Sequence, residues 1–165
     1  MKKINVFGIV RKHFATLKNS NTRKASFDDW FTFLVFPIGV AAFISYFKPV
    51  ISESVLDLLI ASLSIFVGLL INVVVLIFSI IQKEQDSRIK SDVLGETITN
   101  ICYTILISLI TIVFAFIMFS ENLHTKEIFT CLIYFLTIHF LVTLLMIIKR
   151  MYLLFIGEID NYNNN

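Results

Sequence analysis

Residues Leu58 to Ile81 read LLIASLSIFVGLLINVVVLIFSII, a run of 24 residues without a charged side chain or a proline. As an α-helix this run is about 36 Å long, whereas the hydrocarbon core of a bilayer is about 30 Å thick. Buried helices of water-soluble domains rarely carry more than about 14 consecutive apolar residues. The run therefore predicts a transmembrane helix that is long enough to tilt.

The composition of the whole chain agrees with this prediction. Of 165 residues, 57% are hydrophobic and 16% are charged, whereas soluble domains have about 25% charged residues. The predicted fold class is therefore all-α, an integral membrane protein with a single domain.

Three more apolar runs complete a predicted four-helix transmembrane domain at residues 27–157. The predicted spans are 27–47, 55–81, 98–119 and 128–150, with a cytoplasmic loop at 82–97 and a polar tail at 158–165. The first span follows a candidate N-cap at Ser26, and Trp30 suits the headgroup region. Pro37 removes one backbone hydrogen bond and predicts a kink between Phe33 and Pro37.

Positive charge predicts the orientation of these spans. The N-terminal tail, the middle loop and the C-terminal tail carry 7, 3 and 2 Lys and Arg residues, and the two remaining loops carry only Lys48 and Lys126. We therefore expect both termini in the cytoplasm and a multi-pass membrane protein with four spans. The two outer loops are too short to form an outer domain.

The N-terminal segment, residues 1–26, is predicted to be a basic amphipathic helix. Apolar residues recur at helical spacing, with basic residues largely on the other faces; the two sets are Phe7, Val10, Phe14 and Leu17, and Arg11, Lys12 and Lys18. This pattern is typical of a helix on an anionic membrane surface. A nucleic-acid arm is the alternative, but seven basic residues beside a span are ordinary for a cytoplasmic tail, so we expect lipid contact and no direct nucleic-acid binding.

The segment Gln82–Glu96, QKEQDSRIKSDVLGE, is the only sizeable polar stretch between the runs. Apolar residues within this segment allow the preceding helix to continue into the cytoplasm as far as Gly95, where we expect that helix to end. Most charged segments of this kind are solvated loops, but this one is also the best place for a cytoplasmic partner. Its basic candidates are Lys83, Arg88 and Lys90.

Two predicted spans carry a face of small or polar residues. The first comprises Ala61, Ser64, Gly68, Asn72, Val75 and Ser79, and the second Thr97, Asn100, Thr104, Ser108, Thr111 and Ala115. Small residues allow close helix packing in lipid, and an amide facing lipid is costly. Asn72 is thus expected to face protein or water, as a packing amide or as a pore or ligand contact. The second face, which is rich in hydroxyl side chains, is expected to form either a helix interface or the lining of a water-filled path.

His139 is the only histidine or charged residue inside the apolar runs 30–47, 58–81, 98–119 and 128–148, and Thr143 lies one turn further on. Such residues are candidates for function. The alternative is a neutral histidine that bonds Ser108, Asn72 or a backbone carbonyl and sets helix register. The candidate pore or packing residues are Ser64, Gly68, Asn72, Thr104, Ser108, Thr111, His139 and Thr143.

The chemistry of known enzyme classes has no counterpart in the sequence. None of the apolar runs at 30–47, 58–81, 98–119 and 128–148 contains Asp, Glu, Lys or Arg, and no phosphate loop or zinc spacing is present. A Ser108–His139 hydrolase lacks a glycine-framed nucleophile turn. Cys102 and Cys131 are expected at depths about 20 Å apart and so as two free thiols. We expect no catalysis, no metal and no cofactor.

In its architecture the chain resembles the small four-span membrane proteins of bacterial anti-phage defence systems, such as the Kiwa membrane subunit. The resemblance is carried by Leu58–Ile81 running into Gln82–Glu96, by the short outer loops and by the basic tail. It carries over no site residues. It implies an oligomeric membrane sensor or pore-forming effector with a cytoplasmic protein partner; the alternatives are a small-solute channel or transporter and a holin-like or scaffolding subunit.

Overall fold

A computed structural model describes residues 6–16, 31–83, 88–118 and 123–163, and every regular element in these ranges is a helix. The elements are α1 (Val6–Thr16), a π-helical segment (Phe31–Val35), α2 (Phe36–Phe47), α3 (Glu53–Lys83), α4 (Arg88–Met118) and α5 (Leu123–Asn163). The all-α class predicted from the sequence is confirmed for these residues. Ser26 and Trp30, the expected start of the first span, lie outside them.

The apolar helices suit a membrane environment. Three helical stretches are long and apolar enough to cross a bilayer, namely Glu53–Ser79, Val93–Met118 and Lys126–Leu153, and Phe31–Phe47 is a shorter one. Large apolar side chains point outward from them: Leu58 and Ile65, for example, are 67% and 65% exposed. An apolar surface of this extent is unfavourable in water and favourable in lipid. The protein is therefore membrane-embedded.

Helices α4 and α5 form the centre of the arrangement. Helix α3 packs on α4, α2 packs on α5, α1 lies against α4, and the π-helical segment lies against α5. The contact of α3 is narrow because its buried residues recur only at every seventh position: Leu56, Leu63, Leu70 and Ile77. The rest of α3 lies at the outside of the protomer.

The connections differ from those expected. Helix α3 reaches Lys83 and α4 begins at Arg88, so the predicted loop 82–97 is helical at both ends. The prediction that Gly95 ends the helix is wrong, because α4 runs through it. One glycine costs a helix only about 1 kcal/mol, which a packed helix of 31 residues tolerates. Helix α5 likewise continues to Asn163, into the predicted polar tail.

Two hydrogen bonds fix where the N-terminal part of the chain lies along α5. The Arg150 guanidinium donates to the carbonyl of Thr16 at 3.1 Å. At the other end, the amide of Ile51 donates to the Thr130 hydroxyl at 3.3 Å. Thr130 and Arg150 are about 30 Å apart along a straight helix. Between residues 16 and 51 the chain thus passes from one end of the apolar part of α5 to the other.

Candidate functional site

The π-helical segment, Phe31–Val35, lies directly before Pro37, the second residue of α2. Proline has no amide hydrogen, so the carbonyl of Phe33, four residues earlier, lacks its ordinary α-helical donor. Where the sequence predicted a kink, between Phe33 and Pro37, the structure has a π-helical segment followed by α2. It leaves a backbone acceptor free for a side chain of another helix.

His139 of α5 takes this free acceptor. Its Nδ1 lies 2.8 Å from the Phe33 carbonyl oxygen, which can only accept, so Nδ1 carries the proton. In the neutral ring Nε2 is then an acceptor, and the Tyr103 hydroxyl of α4 donates to it at 2.8 Å. His139 therefore bridges α4 and the π-helical segment. Of the three partners expected for His139, the structure shows the backbone carbonyl. Ser108 bonds to its own helix instead, and Asn72 is exposed on α3.

The ring of Tyr103 also packs against α1. The ring of His13 stacks on the Tyr103 ring with centroids 3.7 Å apart and planes 7° from parallel. His13 Nδ1 donates to Oδ1 of Asn100 at 2.9 Å, and the Thr16 hydroxyl lies 2.9 Å from the same oxygen. His13 and Asn100 are both fully buried. A helix expected at the membrane surface is thus held by a buried polar contact with α4.

Arg150 of α5 connects the C-terminal end of α1 to α4. One guanidinium nitrogen donates to the Glu96 carboxylate of α4 at 2.8 Å, and the other donates to the Thr16 carbonyl. The carbonyls in the last turn of a helix have no intrahelical donor. A single side chain of α5 therefore satisfies the end of α1 and holds α4 at the same time.

We call these residues the polar junction. It joins α1, the π-helical segment, α4 and α5, and its members are His13, Phe33, Asn100, Tyr103, His139 and Arg150. Each member makes a hydrogen bond to another element. Two stacked or edge-on ring contacts add to them: Phe135 stacks on His139 at 5.8 Å, and Phe33 meets His13 edge-on at 6.4 Å.

Two polar atoms of the polar junction are buried without a partner: Nε2 of His13 and Nδ2 of Asn100. Burial lowers the pKa of His13 from 6.5 to about 4. The hydrogen bond to Asn100 opposes this effect, and the positive charge of Arg150 adds to it. His13 is thus neutral at neutral pH, and its free Nε2 is an acceptor.

The hydroxyl face predicted on the third span lies inside the protomer. Thr104, Ser108 and Thr111 of α4 are completely buried, and each donates to the carbonyl of its own helix four residues earlier at 2.8–2.9 Å. Thr143 of α5 is buried too and bonds back to the carbonyls of His139 and Phe140. Within one protomer this face packs against neighbouring helices, and its hydroxyls are satisfied locally.

The small and polar face predicted on the long helix points the other way. Ser64, Gly68 and Asn72 of α3 are all exposed on the outside of the protomer. The Ser64 hydroxyl bonds back to Ile60, and a Cβ built on Gly68 would meet nothing within 4 Å. Packing within the protomer thus explains neither the small side chain of Gly68 nor the amide of Asn72.

The predicted surface residues are only partly described. Arg11 and Lys12 are exposed on α1. Lys18 lies outside the described residues, and so do the side chains of Lys83, Arg88 and Lys90, whose backbones are in α3 and α4. Cys102 and Cys131 are free thiols, as expected.

Sequence reasoning missed His13, Tyr103 and Arg150 as parts of a site. The signal for His13 was present, because Val6, Val10 and His13 share one helical face with Ile9. The predicted face combined Val10 with Phe7, Phe14 and Leu17; Phe7 and Phe14 are exposed, and Leu17 lies outside the described residues. Arg150 was treated only as a marker of the membrane edge, and its two hydrogen bonds depend on where α1 docks.

An apolar groove of about 480 Å³ lies between α3 and α5. Its walls include Phe66, Leu70, Val73, Leu144, Ile147 and Met151. Because these walls are apolar, the groove suits a lipid chain or another apolar helix.

Comparison of the chain with protein families, curated proteins and solved structures found no match. The fold and the polar junction define the class: a helical membrane protein in which an N-terminal helix is bonded to the apolar helices at buried histidines.

Proposed function

We propose that the chain is an oligomeric, non-enzymatic subunit of a bacterial inner membrane that acts as a membrane sensor or pore-forming effector, in anti-phage defence and with a cytoplasmic partner. The polar junction is the observation that carries the proposal. It connects α1, which lies outside the apolar spans, to the irregular start of an apolar helix through Tyr103 and His139. A change at α1 thus has a physical route into the membrane helices.

Four crossings with both termini cytoplasmic fit the contacts along α5. Thr16 is bonded near one end of the apolar part of α5 and Ile51 near the other, so the chain between them connects opposite ends, while Phe33 meets α5 near its middle, at His139. From Phe31 to Phe47 it is about 26 Å long at the rise of an α-helix, somewhat less than the hydrocarbon thickness. The docked α1 lies against α4 at the end that this short helix does not reach.

The outward face of α3 supports self-association. Helices associate in lipid through close packing at small residues and through interhelical hydrogen bonds. Gly68 and Asn72 supply both on a face that no described helix of the protomer covers. Copies inserted in the same orientation place Asn72 at the same depth, and an amide both donates and accepts. Two Asn72 side chains are therefore complementary across a two-fold axis.

Any conducting path belongs between copies. The hydroxyls of α4 are buried and bonded to their own helix, so they offer no wet lining inside the described part of one protomer. A pore lined by α3 requires several copies. We propose that a trigger opens this pore by moving α1. The cytoplasmic ends of α3 and α4, around residues 82–96, are the proposed surface for the partner.

The membrane potential of bacteria that overproduce the chain, alone and with phage and neighbouring gene products, tests the proposal. We expect trigger-dependent depolarisation, reported by a voltage-sensitive dye. Asn72→Leu should abolish it, whereas Leu69→Ile, at another exposed position of α3, should preserve it. A potential that stays unchanged under every condition would exclude the pore and leave an anchor or sensor whose working surface is cytoplasmic.

A further inference from the structure

The docking of α1 depends on a histidine whose second ring nitrogen is buried without a hydrogen-bond partner. His13 is fully buried, one ring nitrogen already donates to Asn100, and the other has no partner. In the neutral ring this second nitrogen is an acceptor whose lone pair is left unpaired at moderate cost. A proton there creates a buried cation with an unpaired donor, which is far more costly.

The groups around His13 do not compensate such a cation. Helix α5 presents Arg150, whose charge disfavours a positive charge on His13, and His139, whose neutral ring is already bonded at both nitrogens. Helix α4 presents the neutral phenol of Tyr103 against the ring face, and its carboxylate Glu96 is bonded to Arg150. The π-helical segment, FTFLV, has no titratable residue. On α1 itself Arg11 and Lys12 are cationic and exposed.

We propose that α1 is an acid-releasable latch: neutral His13 docks it on Asn100 and Tyr103, and protonation of the free ring nitrogen expels it from the polar junction. The inference goes beyond the proposed function, because it concerns the docking of α1 whether or not the protein forms a pore.

The direction of the pH dependence follows from linkage. Since burial lowers the pKa of His13 from 6.5 to about 4, the undocked helix binds a proton more readily than the docked helix. Docking therefore has its full stability above pH 6.5, weakens as the pH falls below that value and is lost towards pH 4.

Release of α1 also changes the environment of the membrane helices. Tyr103 loses the ring stacked on it and Thr16 leaves the Arg150 guanidinium. Tyr103 is the donor to His139, which in turn holds the Phe33 carbonyl. Tyr103, on which His13 stacks, is thus hydrogen-bonded to His139, the residue that bridges α4 and the π-helical segment.

The distance between α1 and α5, measured by pulsed electron paramagnetic resonance, tests the latch. Nitroxide labels are placed at Lys12→Cys and Lys149→Cys, which are exposed positions, after both native cysteines are replaced by serine. The full chain is reconstituted in vesicles of uncharged phosphatidylcholine, so that lipid headgroups do not titrate. We expect one narrow distance distribution at pH 8 and a broad, longer one that develops between pH 6.5 and 4.

Two variants separate His13 from other titrating groups. His13→Gln keeps an amide donor for Asn100 without a proton to gain, and its distribution should stay narrow throughout. Asn100→Asp places a carboxylate beside the imidazolium and should move release to lower pH. His139→Gln is the control for the second buried histidine and should retain the transition.

Three results would overturn the latch. They are a wild-type distance that does not change down to pH 4, a transition that persists in His13→Gln, and a transition that vanishes only in His139→Gln. If His13→Gln is undocked already at pH 8, the Asn100→Asp shift still decides, because a release pH that this carboxylate leaves unchanged contradicts the role of His13.

Discussion

At the scale of single residues, the arrangement rests on the pairing of Pro37 with His139. Proline frees a backbone acceptor, and the histidine ring, bonded on its other side to Tyr103, satisfies it. A histidine in an apolar helix is expensive unless both ring nitrogens are bonded. Here both are, and His139 needs neither a metal nor water to be stable.

A double-mutant cycle tests this pairing. His139→Leu leaves the Phe33 carbonyl and the Tyr103 hydroxyl without partners, and each buried unpaired group costs about 1–3 kcal/mol. Pro37→Ala restores an amide hydrogen for the Phe33 carbonyl, so His139→Leu should cost about 1 kcal/mol less in that background. The measurement is the free energy of unfolding by dodecyl sulfate in detergent micelles. Strictly additive effects would show that the two residues are not coupled.

A second prediction at this scale concerns Tyr103. Tyr103→Phe keeps the ring beneath His13 and removes only the donor to His139. We expect a loss of about 1 kcal/mol in the free energy of unfolding without undocking of α1, read as an unchanged label distance at pH 8. Undocking in this variant would mean that the hydroxyl, and not the ring stack, holds the helix.

At the scale of elements, the length of the uncharged apolar runs predicted the long helices well. The apolar run 58–81 lies within α3, and the runs at 98–119 and 128–150 largely coincide with parts of α4 and α5. Where the helices end was harder to predict, since a glycine such as Gly95 is tolerated once the flanking residues are helical. The face of α1 was also missed, because a buried histidine ranks as polar in any periodicity count although its ring packs like an aromatic side chain.

The docking of α1 gives a prediction at the scale of this element. Asn100→Ala removes the acceptor shared by His13 and Thr16, so amide hydrogen exchange in residues 6–16 should accelerate several-fold. Thr99→Ala is the matched control, because its hydroxyl bonds back to Gly95 of the same helix and does not touch α1. Equal exchange in both variants and the wild type would mean that Asn100 does not hold α1.

At the scale of the whole molecule, the sequence pattern separates two kinds of polar face that the protomer treats differently. The face of α4 is buried, whereas that of α3 is exposed. Periodicity alone does not distinguish them, since both have small or polar residues every three or four positions. What distinguishes them is the position of each helix: α4 is central and contacts α1, α3 and α5, whereas α3 is flanking and contacts α4.

Self-association through α3 predicts a crosslink at a defined position. Asn72→Cys, in a chain without its two native cysteines, should form an intermolecular disulfide on mild oxidation in native membranes. Ile71→Cys, exposed on the same helix but turned about 100° from it, should crosslink much less. Equal crosslinking at both positions, measured by non-reducing electrophoresis, would indicate random collision and not an interface.

The number of membrane crossings determines on which face of the membrane α1 lies. The first apolar helix is somewhat shorter than the hydrocarbon core is thick, yet the contacts of Thr16 and Ile51 lie at opposite ends of the apolar part of α5. Four crossings thus predict that Lys48 and Lys12 lie on opposite faces of the membrane. In cysteine-free chains, Lys48→Cys should react with a membrane-impermeant maleimide in spheroplasts. Lys12→Cys and Lys149→Cys should react only after the membrane is opened. Reaction of Lys48→Cys and Lys12→Cys under the same condition would mean that the first helix turns back within the bilayer, leaving three crossings and α1 on the opposite side from Lys149.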